Sequence, residues 1–400
     1  MLLDIKPMPY RLGILTTHPI QYQVPWFRKL SALPEIDLTV FYCMIPDERQ
    51  QGEGFGINFK WDIPLLDGYK YEVLENVSKQ PSVANYWGCD TPGIKNIVKN
   101  REFDAFIVNG WIVKSCIQLL RACRQYGVPC IVRGESNAIR PRTWWKGQIH
   151  KRLLAKYSAF LNIGKSNREF YLQNGAADEK IFFAPYCVDN ERFELEYDAL
   201  LQERDSIRAQ WAISSTDFTF LFCAKFIDKK RPLDLLNALS IVFGKNGHWS
   251  KRIHLLMVGD GKQKIECEEF VGQRKLPVTF TGFMNQSEIV QTYVASDCLV
   301  LPSDYGETWG LVVNEAMACG LPAIVSNRVG CHKDLICSGQ TGEIFPFGDY
   351  EMLADLLVLF ASKPAHVRSM GKRAKQKVAD YSVENVVKGC IEAIKFVCKK

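Results

Sequence analysis

Along most of this 400-residue chain, short unbroken apolar runs closed by Gly, Pro, Asp or Ser alternate with longer segments whose apolar residues recur at helical spacing. A short unbroken apolar run suits a strand buried on both faces of a parallel sheet, and the longer period suits an amphipathic helix. The pattern predicts strands over 11–17, 36–43, 103–108, 128–132, 159–163 and 181–185, then over 219–224, 253–258, 278–281, 298–301, 323–326 and 343–345. Helices are expected over 22–33, 112–126, 232–242, 311–318 and 383–400, with Pro232 well placed for a first helical turn. Such alternation gives a parallel sheet covered on both faces, and here it occurs twice. The polar run 189–216 carries a helix but little strand signal, so the crossover between domains is placed at its start. Residues 44–82 form a long irregular segment dotted with Gly, Pro and aromatic residues, which predicts a packed, binding loop.

Length agrees with two cores, since 400 residues is too long for one ordinary core and suits two domains of roughly 150–200 residues each. Apolar residues make up 47% and charged residues 24%, which excludes a disordered or fibrous chain. Fourteen cysteines lie scattered through apolar runs without a C-x-x-C pair, and six histidines are dispersed, so small core thiols in a reducing compartment are expected, with no metal site. No apolar stretch approaches the ~20 residues that span a bilayer, and residues 1–7 lack a signal peptide's apolar core. A cytoplasmic location is therefore expected. The formal charge of +6 is modest and does not by itself imply nucleic acid.

Chemistry concentrates in 298–322, which reads as strand, turn and helix. A helix starting near Gly310 points its uncapped N–H groups back at the carboxyl end of the preceding strand, where an open α/β sheet binds phosphate-bearing ligands. Gly306 and Gly310 keep the approach open. Glu307 in the turn and Glu315 on the helix are separated by seven residues, and Glu315 lies too far in to cap the helix. Taken singly, each reads equally well as a solvated acid.

Taken together, Pro302-Ser303, Glu307, Gly310-Leu311-Val312, Glu315-Ala316-Met317-Ala318, Gly320 and Pro322 resemble the E-x7-E signature of retaining glycosyltransferases of family 4, the group 1 enzymes of the GT-B fold. The resemblance extends over most of 157–400 through Asn162–Ser166, Ile181–Pro185 and Val188-Asp189, and is faint before that. It implies two doubly wound, Rossmann-like parallel-sheet domains facing across a cleft: an acceptor-binding domain over 1–188, a nucleotide-sugar-binding domain over 189–382, and a terminal helix over 383–400 that braces the first. It places Glu307 beside the donor sugar and the diphosphate on the backbone of Thr308, Trp309, Gly310 and Leu311. Glu315 is placed at the ribose, with Gly259, Gly282 and Phe283 near the nucleotide.

Lys225 and Lys230, at the end of the strand over 219–224, stand where the family carries an Arg and a Lys for the pyrophosphate. Lysine lacks arginine's bidentate fork, and a solvated basic loop is the other reading. His18 ends the first strand, where a catalytic or substrate role competes with a structural one. Where the family often has a histidine near the donor sugar, this chain has Arg133-Gly134-Glu135-Ser136-Asn137, and Glu135 and Ser136 could bond sugar hydroxyls. Tyr186-Cys187 replaces the family's usual Asn-Gly.

Residues 133–156 hold seven Arg or Lys against one acid, Glu135, which is 7 − 1 = +6, together with Trp144-Trp145. That suits an anionic membrane surface or a phosphate-bearing lipid acceptor, and equally a solvated helix face over buried tryptophans. The resemblance thus implies a retaining, metal-independent transferase moving a sugar from a nucleotide-sugar, UDP- ahead of GDP-, to a glycan or lipid-linked acceptor. It implies no cofactor and no nucleic-acid partner, and retention leaves front-face departure and a covalent intermediate both open. An epimerase or phosphorylase of the same fold and a non-catalytic binder of anionic ligands are the competing readings.

Overall fold

The structure is a computed structural model that describes residues 8–244 and 252–398. The N-terminal residues 1–7 and the expected helix end at Lys399 and Lys400 lie outside the described residues. The chain divides into two compact units, one of Met1–Gln50, Pro64–Tyr186 and Val383–Lys400, the other of Gln51–Ile63 and Cys187–Ser382.

The first unit is built on seven strands: β1 (Tyr10–Thr16), β2 (Ile36–Tyr42), β3 (Tyr71–Val73), β4 (Ala105–Asn109), β5 (Cys130–Arg133), β6 (Ala159–Asn162) and β7 (Ile181–Phe183). They pair in parallel in the order β3-β2-β1-β4-β5-β6-β7. Central strands are buried along their length, as β1 shows from Leu12 to Thr16, which is why their sequence reads as unbroken apolar runs. β3 has no such run. It is a three-residue edge strand with Tyr71 and Val73 exposed, so neither period nor length announces it.

The helix Val383–Cys398 belongs to this first unit. Its buried stripe of Val386, Val387, Cys390, Ala393 and Ile394 covers the sheet at β6 and β7. Phe396 meets Phe182 with ring centroids 5.4 Å apart. Gly389 lets the helix touch the strand backbone, since a Cβ there would stand 2.0 Å from the Phe183 carbonyl oxygen.

The second unit carries β8 (Phe218–Cys223), β9 (Ile253–Val258), β10 (Val278–Gly282), β11 (Cys298–Leu301), β12 (Ala323–Ser326) and β13 (Gly342–Phe345). Their order is β10-β9-β8-β11-β12-β13, all parallel. Winding reverses between β8 and β11, which makes their carboxyl ends the topological switch point where such sheets bind ligands. Phe220, Phe222, Met257, Val300 and Ile324 from the sheet pack with Leu235, Leu236, Leu239, Leu357 and Phe360 from the helices Pro232–Gly244 and Tyr350–Ser362 to form the core. All fourteen cysteines are free thiols and only Cys337 is exposed, consistent with their use as small core residues.

Candidate functional site

The helix Leu311–Ala318 follows β11 through the turn 302–310. Gly310 is its N-cap at φ 100°, a left-handed conformation that disfavours other residues, and it brings no side chain to cap the first turn. A Cβ there would also press on Leu301 at 2.9 Å and Val329 at 3.1 Å. Upstream, the Asp304 carboxylate accepts from the Gly306 amide at 2.6 Å, fixing the turn. Gly330 closes behind it, its backbone so near Thr308 that a Cβ would meet that carbonyl oxygen at 1.8 Å.

Glu307 projects from this turn into an ion pair with Lys230, their side chains only 11% and 15% exposed. Ser303 adds a long hydroxyl contact of 3.4 Å to the same carboxylate oxygen. Lys230 comes from the short 3₁₀ turn Asp228–Lys230 after β8, so the pair bridges the two strands flanking the switch point. A pair this dry gains more from its Coulomb attraction than a surface pair, and losing either member leaves an uncompensated charge.

Glu315 is the fifth residue of the helix Leu311–Ala318 and is 5% exposed. Tyr293, on the helix Val290–Ala295, donates its hydroxyl to the carboxylate at 2.5 Å. Burial pushes the Glu315 carboxyl up to about 7, against the opposing pull of the Tyr293 hydrogen bond and of the Arg192 and Lys230 charges. The carboxylate seen from the sequence as open to a ligand is therefore already held on one oxygen. Tyr293 is 22 positions away, and nothing local in the sequence marks it as this partner.

Around this centre the structure places the other expected residues of the second unit. Gly259 ends β9, where φ 123° and a Cβ distance of 2.0 Å to the Ala224 carbonyl oxygen leave room only for glycine, and its amide donates to the Gly282 carbonyl at 2.8 Å. Lys225 does not stand open toward the switch point: its ammonium donates to the Glu53 carbonyl at 2.5 Å and lies 4.5 Å from the Phe55 ring centre. Burial, and after it the neighbouring Lys229, lower its pKa. Trp309 turns its side chain into the core, its indole N–H donating to Asn314 at 2.8 Å and its ring 5.7 Å from Tyr381, so any ligand contact at this position falls to its backbone. Thr308 and Leu311 flank Gly310 in the turn and first helical residue.

His18 and Glu135 belong to the first unit. His18 follows β1, its Nδ1 is 2.9 Å from the Thr17 hydroxyl, and burial lowers its pKa to about 4, which leaves a neutral imidazole. Glu135 follows β5 and accepts from the Tyr186 hydroxyl at 2.5 Å. Arg133, buried at 5% exposure, lies 4.8 Å from the Tyr186 ring centre and donates to the Pro185 carbonyl at 3.1 Å. The departure at Tyr186 thus supplies a hydroxyl that orients Glu135, a link 51 positions long that sequence reading missed. Among the described residues, no group of three His, Cys, Asp or Glu is placed to hold a metal ion.

The helix Trp144–Leu154 exposes Trp144 by 79%, Trp145 by 53% and Ile149 by 55%, so the alternative of buried tryptophans is overturned. Arg140, Lys146, Lys151, Arg152 and Lys156 are exposed around them, while Arg133 is not part of this surface. No described helix is long and apolar enough to cross a membrane.

Residues 203–377 match the family described as Glycosyl transferases group 1. The chain is 26% identical over 216 residues to N-acetyl-alpha-D-glucosaminyl L-malate synthase of Bacillus anthracis, covering 54% of this chain and 50% of the relative. It is 36% identical over 131 residues to sulfoquinovosyl transferase SQD2 of Arabidopsis thaliana, covering 32% and 25%. The chain therefore spans half or less of these curated relatives. A glycosyltransferase from Rickettsia africae superimposes with TM-score 0.77 at 15% identity over 98% of this chain and 99% of its own. Anabaena HepE, solved with UDP and glucose, gives TM-score 0.69 at 15% identity over 95% and 98%. These likenesses establish the GT-B architecture of two parallel-sheet α/β domains.

Proposed function

Starting from a chain whose residues 203–377 belong to the glycosyl transferases group 1 family, we propose that it is a retaining glycosyltransferase. In this reading it moves a sugar from a nucleotide-sugar, UDP- ahead of GDP-, to a glycan or lipid-linked acceptor without a metal or other cofactor. The observation that carries it is the joining, at the switch point of one sheet, of the Lys230–Glu307 pair, the buried Glu315 and the uncapped start of the helix Leu311–Ala318. The preference for UDP draws on HepE, which was solved with that nucleotide.

The chemistry follows from charge. Transfer leaves a nucleoside diphosphate whose negative charge grows as the glycosidic bond breaks, so groups that meet that growth lower the barrier. Lys230 and the helix amides provide positive potential where a metal-dependent enzyme would use a cation. Glu307, paired with Lys230, would meet the reacting sugar, and Glu315 would take a pair of ribose hydroxyls through the oxygen that Tyr293 leaves. Gly259, Gly282, Phe283 and the backbone at Thr308, Trp309, Gly310 and Leu311 would complete the donor site. In the first unit, His18, its pKa lowered by burial to about 4, would act as a neutral hydrogen-bonding group rather than a cation.

A screen of UDP-, GDP- and ADP-sugars for nucleotide release, with and without glycan and lipid-linked acceptors, tests the reading. Release from one donor that quickens with an acceptor and keeps the anomeric configuration is expected. Conversion of the donor sugar without acceptor would instead identify an epimerase, and no release from any donor would leave only a binding role.

The exposed Trp144, Trp145 and Ile149 amid five exposed cations favour one addition to this reading, peripheral attachment to an anionic membrane. Indole rings settle at the lipid interface and lysine and arginine add electrostatic attraction, so a basic helix of this kind suits an enzyme whose acceptor is lipid-linked.

A further inference from the structure

The segment Gln51–Ile63 comes from the irregular loop between β2 and β3, yet it belongs to the second unit and lies on the carboxyl ends of β8, β9 and β10. Its first part is tied to the loop after β8, where the Glu53 carbonyl accepts from Lys225. Backbone touches backbone at the turn after β9: a Cβ on Gly261 would stand 3.0 Å from the Gly54 carbonyl oxygen. Beyond β10, Asn285 donates to the Lys60 carbonyl at 2.7 Å, and the Ser287 amide and hydroxyl both donate to Asp62. Polar fastenings thus hold the segment at both ends.

Between the fastenings the segment is aromatic. Phe55, Phe59 and Trp61 gather around Phe283 with ring centroids 4.9, 4.2 and 6.4 Å from it. Phe59 is buried and holds the cluster together, whereas Phe55, Trp61 and Phe283 are each only part-buried. Rings that meet a ligand must keep some of their surface open. Here three keep apolar surface at the carboxyl edge of the β10-β9-β8 half, the side of a doubly wound sheet on which nucleosides lie. Every nucleobase has a flat π-face that stacks on such rings.

Resting on the donor-site reading above, we propose that residues 51–63 are a strap forming the nucleobase wall of that site, with Phe55 and Trp61 joining Phe283 to stack the base of a nucleoside diphosphate and select among bases. Lys225 is then a positioning residue. It ties the strap to the loop that carries Lys230, so the base wall and the diphosphate end of the site share one link.

Calorimetric titration of the full chain with UDP, GDP and ADP, and with inorganic pyrophosphate as a ligand lacking a base, tests this. For the nucleotide that binds best, Phe55→Ala and Trp61→Ala should each weaken binding by about tenfold while leaving pyrophosphate unchanged, and Phe55→Tyr should restore most of the loss. Unfolding curves exclude variants that fail to fold, and Phe59→Ala marks the cost of loosening the cluster itself. Unchanged nucleotide affinity in folded Phe55→Ala and Trp61→Ala overturns the strap's role while leaving the donor site standing. Tighter binding in those variants also overturns it, because the segment would then compete with the nucleotide. If the wild-type chain binds pyrophosphate but no nucleotide better, or neither, the donor-site reading fails and the strap inference with it.

Discussion

Glu315 shows most plainly what the site asks of a single residue. Its carboxyl is buried and its pKa rises to about 7 from the usual 4.5, chiefly through desolvation. Below the unfolded pKa both states are protonated and the group costs nothing. As pH rises toward 7 the unfolded chain releases the proton while the folded chain keeps it, so stability falls across that window and levels off above it. Glu315→Gln keeps an acceptor for the Tyr293 hydroxyl but cannot ionise. Denaturant unfolding at pH 5 and pH 8 should therefore show the variant gaining on the wild type by about 2–3 kcal/mol at the higher pH. A constant difference between the two pH values would mean that Glu315 ionises normally. Lys230→Ala is a poorer probe of the same site, because it strands Glu307 as a buried unpaired charge and mixes stability with function.

Elements differ in how far their own sequence announces them. The helix Leu311–Ala318 and the strands of the second sheet were legible because continuous burial writes unbroken apolar runs and Gly310 and Gly320 punctuate the helix. β3 was not legible, since a three-residue edge strand with exposed side chains has no pattern to write. The pairings Tyr293 to Glu315 and Tyr186 to Glu135 are contacts between elements and leave no local mark. Trp309 shows a different limit: the motif says nothing of its side chain, which is buried in the core and donates to Asn314. The helix Trp144–Leu154 was legible in composition but not in exposure, and its exposed indoles make the membrane reading testable. Co-sedimentation should show the protein on vesicles containing anionic lipid, with both Lys151→Glu/Arg152→Glu and Trp144→Ala/Trp145→Ala losing most of that binding. Equal recovery on neutral and anionic vesicles, or none on either, would make this an ordinary solvated helix.

At the scale of the whole molecule, the two wound sheets were legible from the repeated alternation, but the assignment of Gln51–Ile63 to the second unit was not. Which sheet a loop joins is decided by partners such as Lys225, Asn285 and Ser287, more than 150 positions away, and no periodicity encodes that. The central claim is that the carboxyl edge of the second sheet, at the β8–β11 switch point, is a nucleoside diphosphate site. Hydrogen exchange read by mass spectrometry, with and without saturating UDP, GDP or ADP, tests it most directly. The account predicts that one of these nucleotides slows exchange in 224–230 and 303–315 more than anywhere in the first unit's sheet. Failure of all three to slow exchange there, or protection confined to the first unit, would contradict it.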